Sequence, residues 1–129
     1  MKKNLLSIIM LVLMAPLLGI ASLRGDSVNI SGTWSFSVDL ESGQHGGPTF
    51  TFKQDGEKLT GTYTGPLGEQ KVTGNVKGNK AWFGFEFTRR GQPIKVLYQG
   101  TIEASGKMNG TIEFSVGEKG KWTATKKSS

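Results

Sequence analysis

The chain has 129 residues, no Cys, one His and a formal charge of +6. That length allows a single domain with one core, and the lack of Cys rules out disulfide staples and thiolate metal sites. Beyond Lys2 and Lys3 the basic residues are dispersed, with pairs only at Arg89-Arg90 and Lys126-Lys127. They read as a solvated surface, and no nucleic-acid motif accompanies them.

Residues 1–21 read as a signal peptide: Lys2 and Lys3, an apolar run from Leu5 to Ile20, and small residues Gly19 and Ala21 before a cleavage point. The run is short for a membrane span and is broken by Pro16. The expectation is removal of the leader, no stable membrane insertion, and a single periplasmic or secreted bacterial domain over 22–129. With no disulfide, that domain must hold itself by its core and by sheet closure.

No helical period follows. Trp34 to Leu40 alternates, with Trp34, Phe36, Val38 and Leu40 on one face, and predicts a first strand. Glu41 to Pro48 is a polar, Gly-rich loop. Thr49 to Gln54 places Phe50 and Phe52 on one face, and Asp55-Gly56 marks a hairpin turn. Lys58 to Thr64 returns, Gly65-Pro66-Leu67-Gly68 turns, and Glu69 to Lys77 is a fourth strand closed by Gly78-Asn79. Lys80 to Thr88 carries Phe83, Phe85 and Phe87 on one face and Trp82 and Glu86 on the other. Three phenylalanines outweigh one Trp, which points Glu86 to solvent. Arg89 to Pro93 is a loop, Ile94 to Ile102 a sixth strand, and Ala104-Ser105-Gly106 a turn. Lys107 to Val116 and Lys121 to Thr125 complete the set, with Lys126 to Ser129 expected to fray.

One unit recurs through these strands: apolar, any, Gly, any, apolar. Its copies are centred on Gly32, Gly61, Gly74, Gly100 and Gly110. Alternation puts the two apolar residues and the bare Gly on one face. Gly inside a strand marks a bend or a close approach by another group, so its repetition predicts a sheet that curls and closes. Eight strands joined by short hairpins predict an all-β, antiparallel up-and-down barrel with no helix in the mature chain. Eight is the number at which the interior just holds side chains or one small ligand.

With Gly32-Thr33-Trp34 opening the first strand, Leu59-Thr60-Gly61-Thr62-Tyr63 on the third and Gly120-Lys121-Trp122-Thr123-Ala124-Thr125 on the last, the chain resembles the calycins, the group of lipocalins, fatty-acid-binding proteins and avidins. In that group a Gly-x-Trp motif lies near the closed end of the barrel. The chain also resembles small exported bacterial barrels, some appended to amidohydrolase-type enzymes. The resemblance implies a lipocalin-like barrel with a ligand in its mouth. The Asn, Ser and Asp set of an avidin site has no counterpart here, so biotin does not carry over.

For chemistry the chain offers little. His45 lies in a Gly-rich loop with no second His or Cys, which predicts no metal site and no catalytic set. The expectation is a binding protein without cofactor, not an enzyme. A small apolar or aromatic ligand would sit in the barrel mouth near Trp34, Tyr63, Trp82 and Trp122. The alternative is a solid barrel in which aromatics fill the space left by glycines. It would dock on another exported protein as an accessory or inhibitor of a hydrolase. Small bacterial barrels that inhibit metalloproteases through an N-terminal segment resemble that alternative. The corresponding segment here is Leu23 to Asn29.

Overall fold

The computed structural model describes residues 27–103 and 106–128. The leader 1–21, most of the segment Leu23 to Asn29, and residues 104–105 of one expected turn lie outside the described residues. The strands are β1 (Gly32–Leu40), β2 (His45–Gly46), β3 (Thr49–Asp55), β4 (Lys58–Gly65), β5 (Gly68–Lys77), β6 (Lys80–Arg89), β7 (Gln92–Glu103), β8 (Lys107–Phe114) and β9 (Lys119–Ser128). From β3 to β9 each pairs antiparallel with the next, and β1 pairs with both β3 and β9. This is a closed eight-stranded up-and-down antiparallel barrel. The ninth, short strand β2 lies against the far end of β1, with Val38 opposite Gly46 and Asp39 opposite His45. β2 and β3 act as one barrel strand interrupted at Gly47-Pro48, where Pro48 has no N–H to give but its carbonyl accepts from Phe36 N–H at 3.0 Å.

Three strand ends differ from the sequence reading. The polar loop after Leu40 contains β2, because backbone pairing to β1 needs no apolar side chains. The loop Arg89 to Pro93 shrinks to the two residues Arg90 and Gly91, with Arg89 paired to Gln92. Both have positive φ, 52° and 79°, as a type I′ hairpin demands. The C-terminal tail is not frayed to Thr125: β9 runs on to Ser128, paired with Thr33 past a bulge.

Alternation sets the inside of the barrel. Leu59 and Tyr63, Val72 and Val76, Tyr98 and Ile102, and Met108 and Ile112 are all buried, and each pair flanks an inward Gly. The close approach is concrete. A Cβ on Gly61 would sit 2.0 Å from the Thr51 carbonyl oxygen, and one on Gly110 1.9 Å from that of Gln99. At Gly100 it would meet the Trp122 ring at 2.6 Å, so the missing side chain is the space the indole fills. Gly32 differs, since its φ of 130° is what excludes a side chain there.

Aromatic rings occupy the middle. Phe36 lies at the centre, 4.4 Å from Phe50, 4.9 Å from Trp122, 5.8 Å from Tyr98 and 6.0 Å from Phe83 between ring centroids. Each fully buried ring contributes about 1.5–3 kcal/mol by removal from water. No polar or charged residue is buried among the described residues.

Candidate functional site

The two ends of the barrel differ. Residues 27–31 run across one end, beside the start of β1. Val28 N–H donates to Gly78 O at 3.0 Å, and Ile30 N–H to the Gln54 Oε1 at 2.8 Å. The same Gln54 amide donates to Val28 O and Gly56 O at 3.0 and 3.1 Å, tying the segment to the β3–β4 turn. Ile30, fully buried, plugs the end. Trp34 packs above it, and its indole Nε1–H donates to Ile30 O at 2.9 Å. The Gly-x-Trp motif therefore lies at the end that residues 27–31 cover, where Ile30 and Trp34 also border a depression of about 190 Å³.

The other end is the mouth, ringed by the β4–β5, β6–β7 and β8–β9 turns and by β2. A cavity of about 120 Å³ opens there. Tyr63 and Tyr98 reach it from the barrel interior, Val38, Leu67 and Phe114 form apolar walls, and Arg89 stands at the rim. Tyr63 is held against Phe85, with centroids 4.4 Å apart, and its hydroxyl accepts from Leu67 N–H at 3.4 Å. Gln70 fixes that turn by donating from its amide to Leu67 O at 2.8 Å. Tyr98 stacks on Phe83 at 5.1 Å and 13°. Burial, and then the neighbouring Tyr63, push the Tyr98 phenol well above its ordinary value; burial raises Tyr63 too, partly offset by the Leu67 N–H. Both phenols stay protonated near pH 7, and both residues line the cavity. At the rim the Arg89 guanidinium lies 5.5 Å from the Phe87 ring centroid. His45 pairs with Asp39, and both are exposed.

Of the four residues expected at the mouth, only Tyr63 lies there. Trp34 is at the closed end. Trp122 is buried in mid-barrel, stacked on Phe36, with its Nε1–H on Thr111 O at 2.8 Å. Trp82 points outward and is 38% exposed, because its neighbours Phe83 and Phe85 take the inside; Glu86, on the same side, is exposed as expected. The four do not converge on one site. Tyr98 was missed. It opens one of the Gly units, two residues before Gly100, which marks it as inward-facing but not as a residue of the mouth. Among the described residues no three His, Cys, Asp or Glu side chains gather as a metal site.

No protein-family model matches the chain, and no curated protein does. Solved structures do. A redesigned beta barrel aligns with TM-score 0.64 at 19% identity, covering 76% of this chain and 91% of that one. Another redesigned beta barrel, mFAP1, bound to DFHBI, aligns with TM-score 0.58 at 19% identity over 75% of this chain and 94% of that one. A third, mFAP0, also bound to DFHBI, gives 0.57 at 21% identity, over 75% and 98%. The likeness is one of fold.

Proposed function

We propose that the protein is an exported β-barrel binding module, not an enzyme, and that it takes a small apolar or aromatic ligand in the barrel mouth. The mouth cavity supports this reading: apolar walls with two neutral phenols at its inner end (Tyr63 and Tyr98) suit a flat apolar body with one polar edge. Two barrels of similar fold are described bound to DFHBI. The leader-like residues 1–21 support export to the periplasm or beyond, the Gly-x-Trp opening supports a calycin-like barrel, and the lack of Cys in an exported chain supports a bacterial source.

Size limits the ligand. A dry apolar cavity of about 150 Å³ holds benzene, so 120 Å³ takes about one ring, with the rest of the molecule out at the rim beside Arg89. The filled interior favours the second reading, a solid module that docks on another exported protein. Native mass spectrometry of protein purified from its own periplasm separates the two. Extra mass that disappears in Leu67→Trp, which fills the cavity, supports the ligand reading. A bare mass, with no uptake of DFHBI or small phenols, favours the docking module.

A further inference from the structure

Trp82 is not used by the mouth. It sits on the outer wall, 38% exposed, beside Leu97 at 40%, where the other outward positions of β5, β6 and β7 are polar apart from Gly84 and Pro93. Between them lies Gly84, paired with Leu97 on β7 and Thr73 on β5. No side chain could fill that gap, since a Cβ on Gly84 would lie 2.1 Å from the Val96 carbonyl oxygen. The result is an open groove of about 570 Å³ with Trp82 as one wall. The opposite side of Trp82 borders a second depression, of about 250 Å³, lined by Gln99, Thr101 and Thr111. The indole thus stands as a ridge between two hollows.

The surroundings are chemically consistent. Asn75 and Gln99 face Trp82 on either side in register, and Thr111 follows Gln99 on β8. With strands about 4.8 Å apart, this amide–indole–amide–hydroxyl row is about 14 Å wide. The indoles of Trp34 and Trp122 both donate to backbone carbonyls, whereas among the described residues no acceptor meets the Trp82 Nε1–H. Lys71 and Lys95 flank the larger groove with Glu86, and Lys80 borders the smaller one, where its Nζ donates to Thr101 at 3.2 Å. The two hollows are lined by these three lysines against Glu86, which stands opposite Lys95, with Glu113 opposite Leu97 beside them. None of the three lysines is in an ion pair among the described residues, and the count leaves a small positive excess.

We propose that this outer face binds an acidic polysaccharide. A sugar ring stacks its C–H face on Trp82, the amides and threonines exchange hydrogen bonds with sugar hydroxyls, and the lysines meet carboxylates on the chain. Single-stranded nucleic acid fits less well, because it is held by several successive aromatic side chains, and this face has one. The site is independent of the mouth.

The test is affinity electrophoresis of the folded mature chain in gels containing polygalacturonate, dextran or single-stranded DNA, with iodide quenching of tryptophan fluorescence in parallel. Retardation by polygalacturonate but not dextran, weakening as salt rises, is expected, with protection of Trp82 from iodide. Trp82→Ala should weaken retardation tenfold or more. Trp82→Phe should recover part of it, and Tyr98→Phe, in the mouth, should leave it unchanged. Equal retardation by dextran, full retention in Trp82→Ala, tighter binding of DNA, or no binding to any polymer each overturns the proposal.

Discussion

Replacing Gly110 by Ala tests whether the inward glycines close the barrel. At an ordinary strand position the change adds stability, about 0.4–1 kcal/mol, by restricting the unfolded chain. At Gly110 the new Cβ would lie 1.9 Å from the Gln99 carbonyl oxygen and 2.5 Å from the Gly100 Cα, against an optimal separation of about 3.5 Å. All the nearest atoms are backbone of β7, so no side chain can swing away. Relief requires β7 and β8 to part by more than an ångström, which weakens the hydrogen bonds around Gly100 and Gly110, each about 0.5–1.5 kcal/mol net. Two or three of these, with about 1–3 kcal/mol for overpacking, give a loss of about 3 kcal/mol or more. A domain of this size has only about 5–15 kcal/mol in all. Urea unfolding followed by tryptophan emission reads this directly: at a slope of about 2 kcal/mol per molar, the midpoint falls by about 1.5 M. Gly47→Ala is the control. Its Cβ would meet nothing closer than the Phe36 carbonyl oxygen at 3.7 Å, and its φ is not in the left-handed region. It should be neutral or slightly stabilising. If Gly110→Ala unfolds within 0.5 kcal/mol of the parent, close packing of strands at the glycines is not what closes the sheet.

Arg90 is the non-Gly residue with positive φ among the described residues, and Arg90→Asn should raise the melting temperature, adding about 0.5–1 kcal/mol because Asn tolerates that region. Trp34→Phe removes the donor to Ile30 O and leaves a buried carbonyl unpaired at the closed end, so calorimetry should show a loss of about 1–3 kcal/mol. At high pH the sign follows from Tyr98. Its folded pKa is raised, so the folded state keeps a proton that the unfolded chain loses above about pH 10. Stability is therefore full below about pH 10 and falls above it by about 1.4 kcal/mol per pH unit for Tyr98, with Tyr63, also raised, adding to the fall. Tyr98→Phe should flatten that fall, and in the parent the tyrosinate absorbance should rise together with the loss of circular dichroism.

The fold was legible because a closed barrel buries one face of every strand, so period-two alternation carries the same message eight times. It placed Phe83, Phe85 and Phe87 inside and Glu86 outside, as observed. The glycines were legible for the same reason, since an empty inward position needs a neighbour to fill it, and at Gly100 that neighbour is Trp122. Strand ends were less so. His45-Gly46 carries no side-chain pattern, and what pairs it to β1 is backbone, which every residue has. Arg90 in a type I′ turn is equally silent, because Arg is not a residue that advertises positive φ.

The site was harder, for a reason built into barrels. Alternation says whether a side chain points in or out, but not how far along the axis it sits. Depth comes from the stagger between neighbouring strands, which is a property of pairs of strands and not of any one segment. Trp34, Tyr63 and Trp122 all point inward, yet the stagger sends the first to the plug, the second to the mouth and the third to the middle. Trp82 is a different case: the alternation that turned Phe83 and Phe85 inward had already turned it outward. Tyr98 follows the same logic in reverse. Its Gly-unit position says only that it is buried; the pairing of Phe83 with Tyr98 and of Tyr98 with Ile112 brings its ring beneath the mouth. Reading ligand sites in small barrels therefore requires the register first, since two inward aromatics share a pocket only when the hydrogen-bond ladder brings them to the same level.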